Sequence, residues 1–195
     1  MFVTLCGGIH LCYGDRLKCD FGNVDFNVNQ YDSLYTCQVT SLDNSNTING
    51  YNGVHNTNKN VKDVKGIWIH HTNAKYIPEN LGPLFNIISF SMSNSNLVEI
   101  NAKDFSGMQK LEILRLYKNS ISYVSLDAFS TLPKLKLISL NYNELREIPS
   151  GLFTNNLNLE RIDFYGNKIK CFGTGLFNGL TKLNAVDVRE NICDH

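Results

Sequence analysis

Apolar residues recur along this chain at a fixed spacing, and the clearest copy of the pattern runs from Leu111 to Lys134. With Leu111 as position 1, apolar residues stand at positions 1, 4, 6, 11, 14, 19 and 22, and Asn119 stands at position 9. The first positions of successive copies lie 24 residues apart, at Ile87, Leu111, Leu135, Leu159 and Leu183. Self-similarity at such a period predicts a solenoid, in which each unit stacks on the next.

The pattern also extends to both sides of these copies. A copy over residues 64–86 is one residue shorter than the period, and the copy that begins at Leu183 is incomplete. Positions 4 and 6 alternate with positions 3, 5 and 7, which is typical of a strand with one buried face. Asparagine at position 9 can satisfy backbone groups where the chain leaves the strand, because its side chain both donates and accepts. Phenylalanine at position 19 predicts a second buried column, made of Phe105, Phe129, Phe153 and Phe177.

The pattern LxxLxLxxNxI, with phenylalanine at position 19, resembles the leucine-rich repeat family in its extracellular form. The resemblance covers residues 64–195 and implies an α/β-type repeat solenoid. In that fold a parallel sheet lines the concave face of a curved stack, here with five full repeats and a truncated sixth. The segment over residues 48–69 is also similar to the lead-in of short secreted arthropod leucine-rich repeat proteins.

Residues 15–63 do not follow the repeat, and they predict an N-terminal cap with a lead-in. Apolar and polar residues alternate around Cys19 and around Cys37, and turn-forming residues lie between the two stretches. We therefore expect a β-hairpin closed by a Cys19–Cys37 disulfide. Such a hairpin would cover the apolar interior of the first coil, and it is similar to the N-terminal caps of secreted family members.

The C-terminal end suggests a second disulfide. Cys193 lies in the coil next to the one that holds Cys171, so a Cys171–Cys193 bridge could pin the last strand. Alternatively, Cys193 is a core residue or has lost its partner. The end of the stack could also pair with a second copy, so that a monomer and an end-to-end homodimer both stay open.

Residues 1–14 are apolar or small, carry no acid, and place Cys12 and Gly14 just before Asp15. This composition predicts a signal peptide, although the stretch also lacks Lys and Arg. The alternative is a misassigned start or the boundary of a fragment. Cleavage would leave four cysteines, and an even set suits disulfides in an oxidising compartment. We therefore expect an extracellular, secreted protein.

Several classes of function are disfavoured. The chain has 18 Lys and Arg against 18 Asp and Glu, and this balance argues against a nucleic-acid partner. It has no run of about 18 apolar residues, so we expect no membrane span. GxSxG, HExxH and phosphate-binding glycine motifs are missing, and His70 and His71 should point to opposite faces of a strand. We expect no enzyme activity, no metal and no cofactor.

The solvent-facing side of the predicted sheet is the candidate partner site, because Trp, Tyr and Arg dominate binding energies at interfaces. The residues expected to contact a partner are Trp68, His70, Arg115, Tyr117, Tyr142, Asp163, Tyr165 and Arg189. Arg115, Tyr117, Tyr142 and Tyr165 form the centre of this predicted site. Ile113 and Leu137 at position 3 are expected to be exposed on the same face. The acids Asp163 and Asp187 have Arg161 and Arg189 beside them, which indicates a neutralised cluster rather than a catalytic pair.

Two classes of function remain. The first is a secreted module that binds a protein, or a glycan, with its concave face, for which the family resemblance implies innate recognition, signalling or adhesion. The second is a structural or matrix component that associates with itself through its C-terminal end.

Overall fold

The computed structural model describes residues 5–6, 10–11, 17–24, 34–41, 51–81 and 86–192. Its strands, in chain order, are β1 (Leu5–Cys6), β2 (His10–Leu11), β3 (Leu17–Val24), β4 (Leu34–Ser41), β5 (Tyr51–Asn52), β6 (Gly66–His70), β7 (Ser89–Ser93), β8 (Glu99–Ile100), β9 (Ile113–Arg115), β10 (Tyr123–Val124), β11 (Leu137–Ser139), β12 (Arg161–Asp163) and β13 (Ala185–Asp187). Short 3₁₀ helices lie at Val61–Asp63 and Ala102–Phe105.

One sheet connects nine of these strands in the order β13-β12-β11-β9-β7-β6-β4-β3-β5. From β4 to β13 every neighbouring pair is parallel. Ile113 lies opposite Ser89 and Leu137, each 24 residues away, whereas Gly66 lies opposite Ser89 at a distance of 23 residues. The predicted solenoid and its shorter first repeat are therefore confirmed. Strands β8 and β10 form a separate parallel pair on the flank, and β1 and β2 form an antiparallel pair.

The interior of the stack consists of the recurring apolar positions. Leu111, Leu114 and Leu116 are fully buried, as are their equivalents in the neighbouring coils. Burying one such side chain contributes about 1.5–3 kcal/mol, while ordering a residue costs about 1.5 kcal/mol. A coil of 24 residues with about seven core positions therefore cannot be stable alone, and it depends on the coils on either side.

The phenylalanine column is confirmed in three of its four members. The ring centroids of Phe105, Phe129 and Phe153 follow one another at 6.0 and 6.1 Å. Phe177 is only partly buried and contacts Phe172 at 6.3 Å instead. The reason is local, because Phe172 occupies position 14, where the preceding coils have the smaller Val or Ile.

A ladder of position-9 asparagines joins successive coils. Asn143 Oδ1 accepts a hydrogen bond from the Ile121 N–H at 3.1 Å, and its Nδ2 donates to the carbonyls of Leu116 and Leu140 at 3.0 and 2.9 Å. Each of these side chains bonds the preceding coil and its own coil, and the rungs are Asn119, Asn143, Asn167 and Asn191. The asparagine column predicted from the sequence is therefore a hydrogen-bonded element of the core.

The ladder begins in the third repeat. The two earlier repeats have Thr72 and Ser95 at position 9. The Ser95 hydroxyl donates to the carbonyl of Ser93 in its own coil, and a hydroxyl is too short to replace the amide rung between coils. Asn119 therefore supplies the first rung, by accepting from the Ser95 N–H at 2.9 Å.

The N-terminal cap is a hairpin that continues the sheet. Strands β3 and β4 are antiparallel, and a disulfide joins Cys19 to Cys37, as predicted. Strand β4 also pairs in parallel with β6, with Cys37 opposite Ile67. The cap therefore covers the first coil and is hydrogen-bonded to it along one edge.

Aromatic contacts tie the lead-in to this cap. The His55 ring stacks on Phe21 with centroids 4.0 Å apart, and its Nδ1 hydrogen-bonds the Tyr35 hydroxyl at 3.0 Å. The Tyr35 hydroxyl also accepts from the Asn56 N–H at 3.0 Å. These contacts hold residues 55–56 against the hairpin.

Several predictions for the two ends of the chain concern residues outside the described ranges. Cys171 is exposed and has no disulfide partner among the described residues, and Cys193 lies outside them, so the Cys171–Cys193 pairing stays a prediction. Most of the predicted signal peptide also lies outside the described residues. In the last coil the core positions Val186 and Val188 are 40% and 38% exposed, because no further described coil covers them.

The asparagine ladder yields a first prediction. Asn119→Leu removes the bonds to Ser95 N–H and to the Met92 carbonyl, and it leaves these groups without a partner. The free energy of unfolding should fall by about 1–3 kcal/mol, measured by urea denaturation. Asn73→Leu is the control, because Asn73 is exposed, has no left-handed backbone and hydrogen-bonds the side chain of Asn96 at the surface. Equal losses in both variants would contradict a structural role for the ladder.

The cap yields a second prediction. Replacing Cys19 and Cys37 together by Ala should lower the free energy of unfolding by about 3 kcal/mol, because the disulfide closes a loop of 18 residues in the unfolded chain. A stability unchanged by the double replacement would contradict this role. Cys171→Ser, measured in parallel, tests the second predicted bridge, since stability should fall only if Cys171 is paired.

Candidate functional site

The concave face presents one continuous row of position-5 side chains. Strand register aligns them across six strands in the order Trp68, Ser91, Arg115, Ser139, Asp163 and Asp187. Side chains two residues apart on a strand share a face, so positions 3 and 7 flank this row. The predicted columns therefore exist as aligned rows, and the exposure and contacts of their members decide what each part of the face can bind.

The N-terminal part of the face contains a half-buried histidine. The rings of Trp68 and His70 meet edge to face with centroids 4.4 Å apart, and His70 Nδ1 hydrogen-bonds the Ser93 hydroxyl. Burial, and then the neighbouring His71, lower the pKa of His70 to about 4. His70 is therefore neutral at physiological pH.

The predicted separation of the two histidines is wrong. His71 has a left-handed backbone with φ of 53°, which breaks the alternation of the strand, and the two rings lie only 6.3 Å apart. Within the described part of the chain, no group of three or more His, Cys, Asp or Glu side chains is arranged to hold a metal ion.

Small side chains occupy the middle of the face, on strand β7. Ser89, Ser91 and Ser93 are buried, and Ser91 lies between the larger Trp68 and Arg115. Ile113 is only 1% exposed, so the expectation that it is an exposed aliphatic is wrong, and Leu137 is half-buried. Side chains on a concave sheet converge on their neighbours, and at Ile113 this convergence closes the surface.

Arg115 and Tyr117 lie next to this buried zone. Burial lowers the pKa of the Arg115 guanidinium from its usual value, while the nearby Tyr117 opposes that shift. Both side chains are half-buried. They lie at the centre of the face and are less exposed than Lys118 and Tyr142.

The residues at position 8 share one backbone conformation. All six have a left-handed φ between 51° and 67°, and they are His71, Asn94, Lys118, Tyr142, Gly166 and Glu190. The chain leaves the strand at this point, so these side chains project along the rim of the concave face. All of them except Gly166 belong to exposed residues.

Two tyrosines meet on this rim. The rings of Tyr142 and Tyr165 pack edge to face with centroids 5.1 Å apart. Lys118 Nζ lies 5.8 Å from the centroid of Tyr142, and the Arg189 guanidinium lies 5.6 Å from that of Tyr165. We call these four residues the tyrosine rim. Tyr142 is 47% exposed, which makes it a large apolar surface held in a fixed place.

The acids beside the rim differ in their environments. Arg189 donates two hydrogen bonds to Asp187, from Nε at 3.0 Å and Nη2 at 2.7 Å, and this pairing lowers the pKa of Asp187. Burial, and to a lesser extent the charge of Asp187, raise the pKa of Asp163, against the Tyr165 N–H that donates to its Oδ1 at 3.0 Å. Among the described residues, no ion pair within 4 Å includes Asp163. Only one of the two acids is therefore neutralised by a direct partner.

The eight residues predicted as a partner site thus fall into separate groups. Tyr165 contacts both Tyr142 and Arg189 at the rim, and its N–H donates to Asp163. Trp68 and His70 lie on β6, three strands away from β11, and Arg115 with Tyr117 lies between the two groups. Gly166 could not be identified as a site residue from the sequence. The candidates were chosen by side-chain type, and glycine has no side chain.

Comparison with known proteins decides the family. The family model of the leucine rich repeat matches residues 88–145 and 133–191, which together make up more than half of the chain. The chain belongs to the leucine-rich repeat family. No curated protein matches this leucine-rich repeat protein.

Solved structures share its fold. The structure of TLR13 in complex with ssRNA13 matches 67% of this leucine-rich repeat protein with a TM-score of 0.63 and 26% sequence identity. The Toll–Spatzle complex from Drosophila matches 66% with a TM-score of 0.63 and 20% identity. In each case the match spans only 18% of the other chain. No helix in the described ranges is long and apolar enough to cross a membrane.

The electrostatics of the two acids yield a prediction with a defined sign. Because the folded-state pKa of Asp163 is raised, its contribution to stability is greatest below its unfolded pKa of about 3.9 and is lost as pH rises through the folded value. Asp163→Asn keeps an oxygen for the Tyr165 N–H and removes the charge. The free energy of unfolding should therefore rise at about pH 7, by less than about 1 kcal/mol because the site is partly solvated, and the gain should vanish near pH 3.

Asp187→Asn is the matched control for this prediction. Its folded pKa is lowered by Arg189, so the same replacement should reduce stability at neutral pH. Urea denaturation at both pH values measures the two effects. A loss of stability in Asp163→Asn at neutral pH would contradict the assignment.

Proposed function

We propose that this leucine-rich repeat protein is a secreted, non-enzymatic recognition module that binds a protein partner through its concave face, in innate recognition, signalling or adhesion. The observation that carries the proposal is the tyrosine rim. It places a lysine, two tyrosines and an arginine in a chain of successive contacts at the edge of a regular sheet.

Rigidity is the first argument for binding at the rim. Tyr142 N–H donates to the Tyr165 carbonyl at 2.8 Å. The ladder residue Asn143 directly follows Tyr142, and Asn167 lies two residues after Tyr165. Tyr and Arg lose little conformational entropy when they are held in place before a partner arrives. A preorganised aromatic surface of this kind is typical of an interface hot spot.

The arrangement of the rings favours a protein over a glycan. A glycan commonly uses the open face of an aromatic ring, but here Lys118 lies over Tyr142 and Arg189 lies over Tyr165. The exposed parts of the rim are therefore ring edges, hydroxyls and charged groups, which suit the mixed polar and apolar surface of a protein.

Secretion and the exclusion of nucleic acid belong to the same proposal. The Cys19–Cys37 disulfide supports an oxidising, extracellular compartment. TLR13 was solved with a single-stranded RNA, so the shared fold does not argue against RNA. The charge balance argues against RNA, because Arg161 and Arg189 alternate with Asp163 and Asp187 along this face.

A second candidate function is self-association through the C-terminal end of the stack, in a structural or matrix role. The exposed core positions Val186 and Val188 favour it. Light scattering over a range of protein concentrations, with and without reductant, tests this alternative. A concentration-dependent dimer favours it, and a monomer throughout favours the recognition module.

The proposal predicts the behaviour of a double variant. Replacing Tyr117 and Tyr142 together by Ala should weaken partner binding by more than about tenfold, because each truncation removes a large part of the contact surface. The thermal midpoint should stay close to that of the wild type, since neither side chain is in the buried core. The measurement is capture from extracellular fluid with the immobilised wild type, followed by affinity measurement of each captured component against both proteins.

The control for this experiment is an exposed tyrosine away from the concave face. Tyr123 is 55% exposed on strand β10, at the flank, and Tyr123→Ala should leave partner binding unchanged. Equal affinity of the wild type and the Tyr117/Tyr142 variant would place the partner site elsewhere. Capture of RNA with a steep salt dependence would overturn the protein partner.

A further inference from the structure

Gly166 differs from every other residue of its column. The equivalent residue in each of the other five coils carries a side chain, and all six share the left-handed backbone. A Cβ atom built on Gly166 would lie 2.9 Å from Cδ1 and 3.2 Å from Cε1 of Tyr142. Carbon atoms do not approach so closely without one of them moving. The ring of Tyr142 therefore occupies the space that a side chain at residue 166 would fill.

We propose that Gly166 is a positioning residue for the partner site: it forms a notch that seats the ring of Tyr142 against Tyr165. This inference rests on the function proposed above, since it concerns the same rim. It assigns a role in recognition to a residue that has no side chain and that makes no contact of its own with the partner.

The backbone around the notch is fixed, so the ring has to move if the notch is filled. Tyr142 N–H donates to the Tyr165 carbonyl at 2.8 Å, and Gly166 N–H donates to the Arg189 carbonyl at 3.1 Å. These bonds set the separation of neighbouring coils at position 8. Tyr142 is half-exposed, so its side chain can rotate outward at little cost, whereas the hydrogen-bonded coils cannot separate.

The position-8 residues of the two preceding coils, Lys118 and Tyr142, show the arrangement without a notch. Residue 142 carries a ring there, and the side chain of Lys118 extends over that ring with its ammonium 5.8 Å from the centroid. The Lys118 side chain therefore lies over the ring of Tyr142, whereas the ring of Tyr142 lies beside the backbone of Gly166. The packed pair of Tyr142 and Tyr165 occurs at the coil boundary where position 8 is glycine.

The seated pair has a property that can be measured without any partner. The adjacent Tyr142 side chain, and then its charge when ionised, raise the pKa of Tyr165 above its ordinary value. If the ring of Tyr142 leaves the notch, this interaction is lost. The ionisation of Tyr165 therefore reports the position of Tyr142.

Two glycines allow a matched comparison. Gly166 and Gly179 both have a left-handed φ, of 67° and 79°, but a Cβ on Gly179 would meet only Leu157 Cδ2 at an ordinary 3.7 Å. Asparagine tolerates this backbone, and Asn94 adopts it in the same column at φ of 51°. We therefore choose Gly166→Asn and Gly179→Asn, with Gly166→Ala as a second, smaller filling of the notch.

The experiment follows Tyr165 by NMR of ring-labelled tyrosine during an alkaline titration, with Tyr165→Phe to assign its resonance. Gly166→Asn and Gly166→Ala should lower the Tyr165 pKa toward the value found in Tyr142→Leu, and Gly179→Asn should leave it as in the wild type. A Tyr165 pKa unchanged in both Gly166 variants would overturn the proposal. An equal change in Gly179→Asn would also overturn it, because the effect would then be one of general destabilisation.

Affinity for the captured protein partner separates this inference from the proposed function. Gly166→Asn should weaken binding several-fold in the wild-type background and have no further effect when Tyr142 is already Ala, because both changes remove the same seated ring. If the Tyr165 pKa shifts but the affinity does not, the notch is confirmed and the rim is not the partner site. If Gly166→Asn weakens binding equally with Tyr142 already replaced, the positioning role is overturned.

Discussion

The hydrogen bonds of the position-9 asparagines are the constraint on which the rest of this molecule depends. Each amide satisfies backbone groups of two coils at once, so it fixes the distance and the register between them. Residues just before the asparagine therefore return at the same height and the same angle in every coil. The tyrosine rim exists because Tyr142 and Tyr165 stand immediately before and two residues before successive rungs of this ladder.

Most of the fold could be predicted from the sequence, because a buried position constrains residue type strongly. The period, the shorter first repeat and the capping hairpin follow from such positions. The errors occur where a neighbour decides the outcome. Phe177 leaves its column because Phe172 is bulky, and Ile113 is buried because the concave sheet brings its neighbours together. Neither effect is visible in the pattern of a single repeat.

The candidate site was less predictable than the fold. Residue types on the concave face indicated Tyr142, Tyr165 and Arg189, but not that Tyr165 contacts both of the others while Trp68 and His70 form a separate group. Alternation also fails at position 8, where the backbone becomes left-handed, and this is why His71 lies beside His70. Contacts between coils depend on side-chain length and rotamer, which the spacing of residues does not determine.

The left-handed column has a consequence for how such a surface can change over time. A residue other than glycine costs about 1–2 kcal/mol in this conformation, with asparagine less affected, so every bulky side chain on the rim opposes the stability of the stack. Substitution by glycine or asparagine at position 8 would stabilise the protein and remove the large side chains from its rim. Tyr142 and Lys118 carry this cost, so under the proposed function stability and recognition compete along a single line of residues.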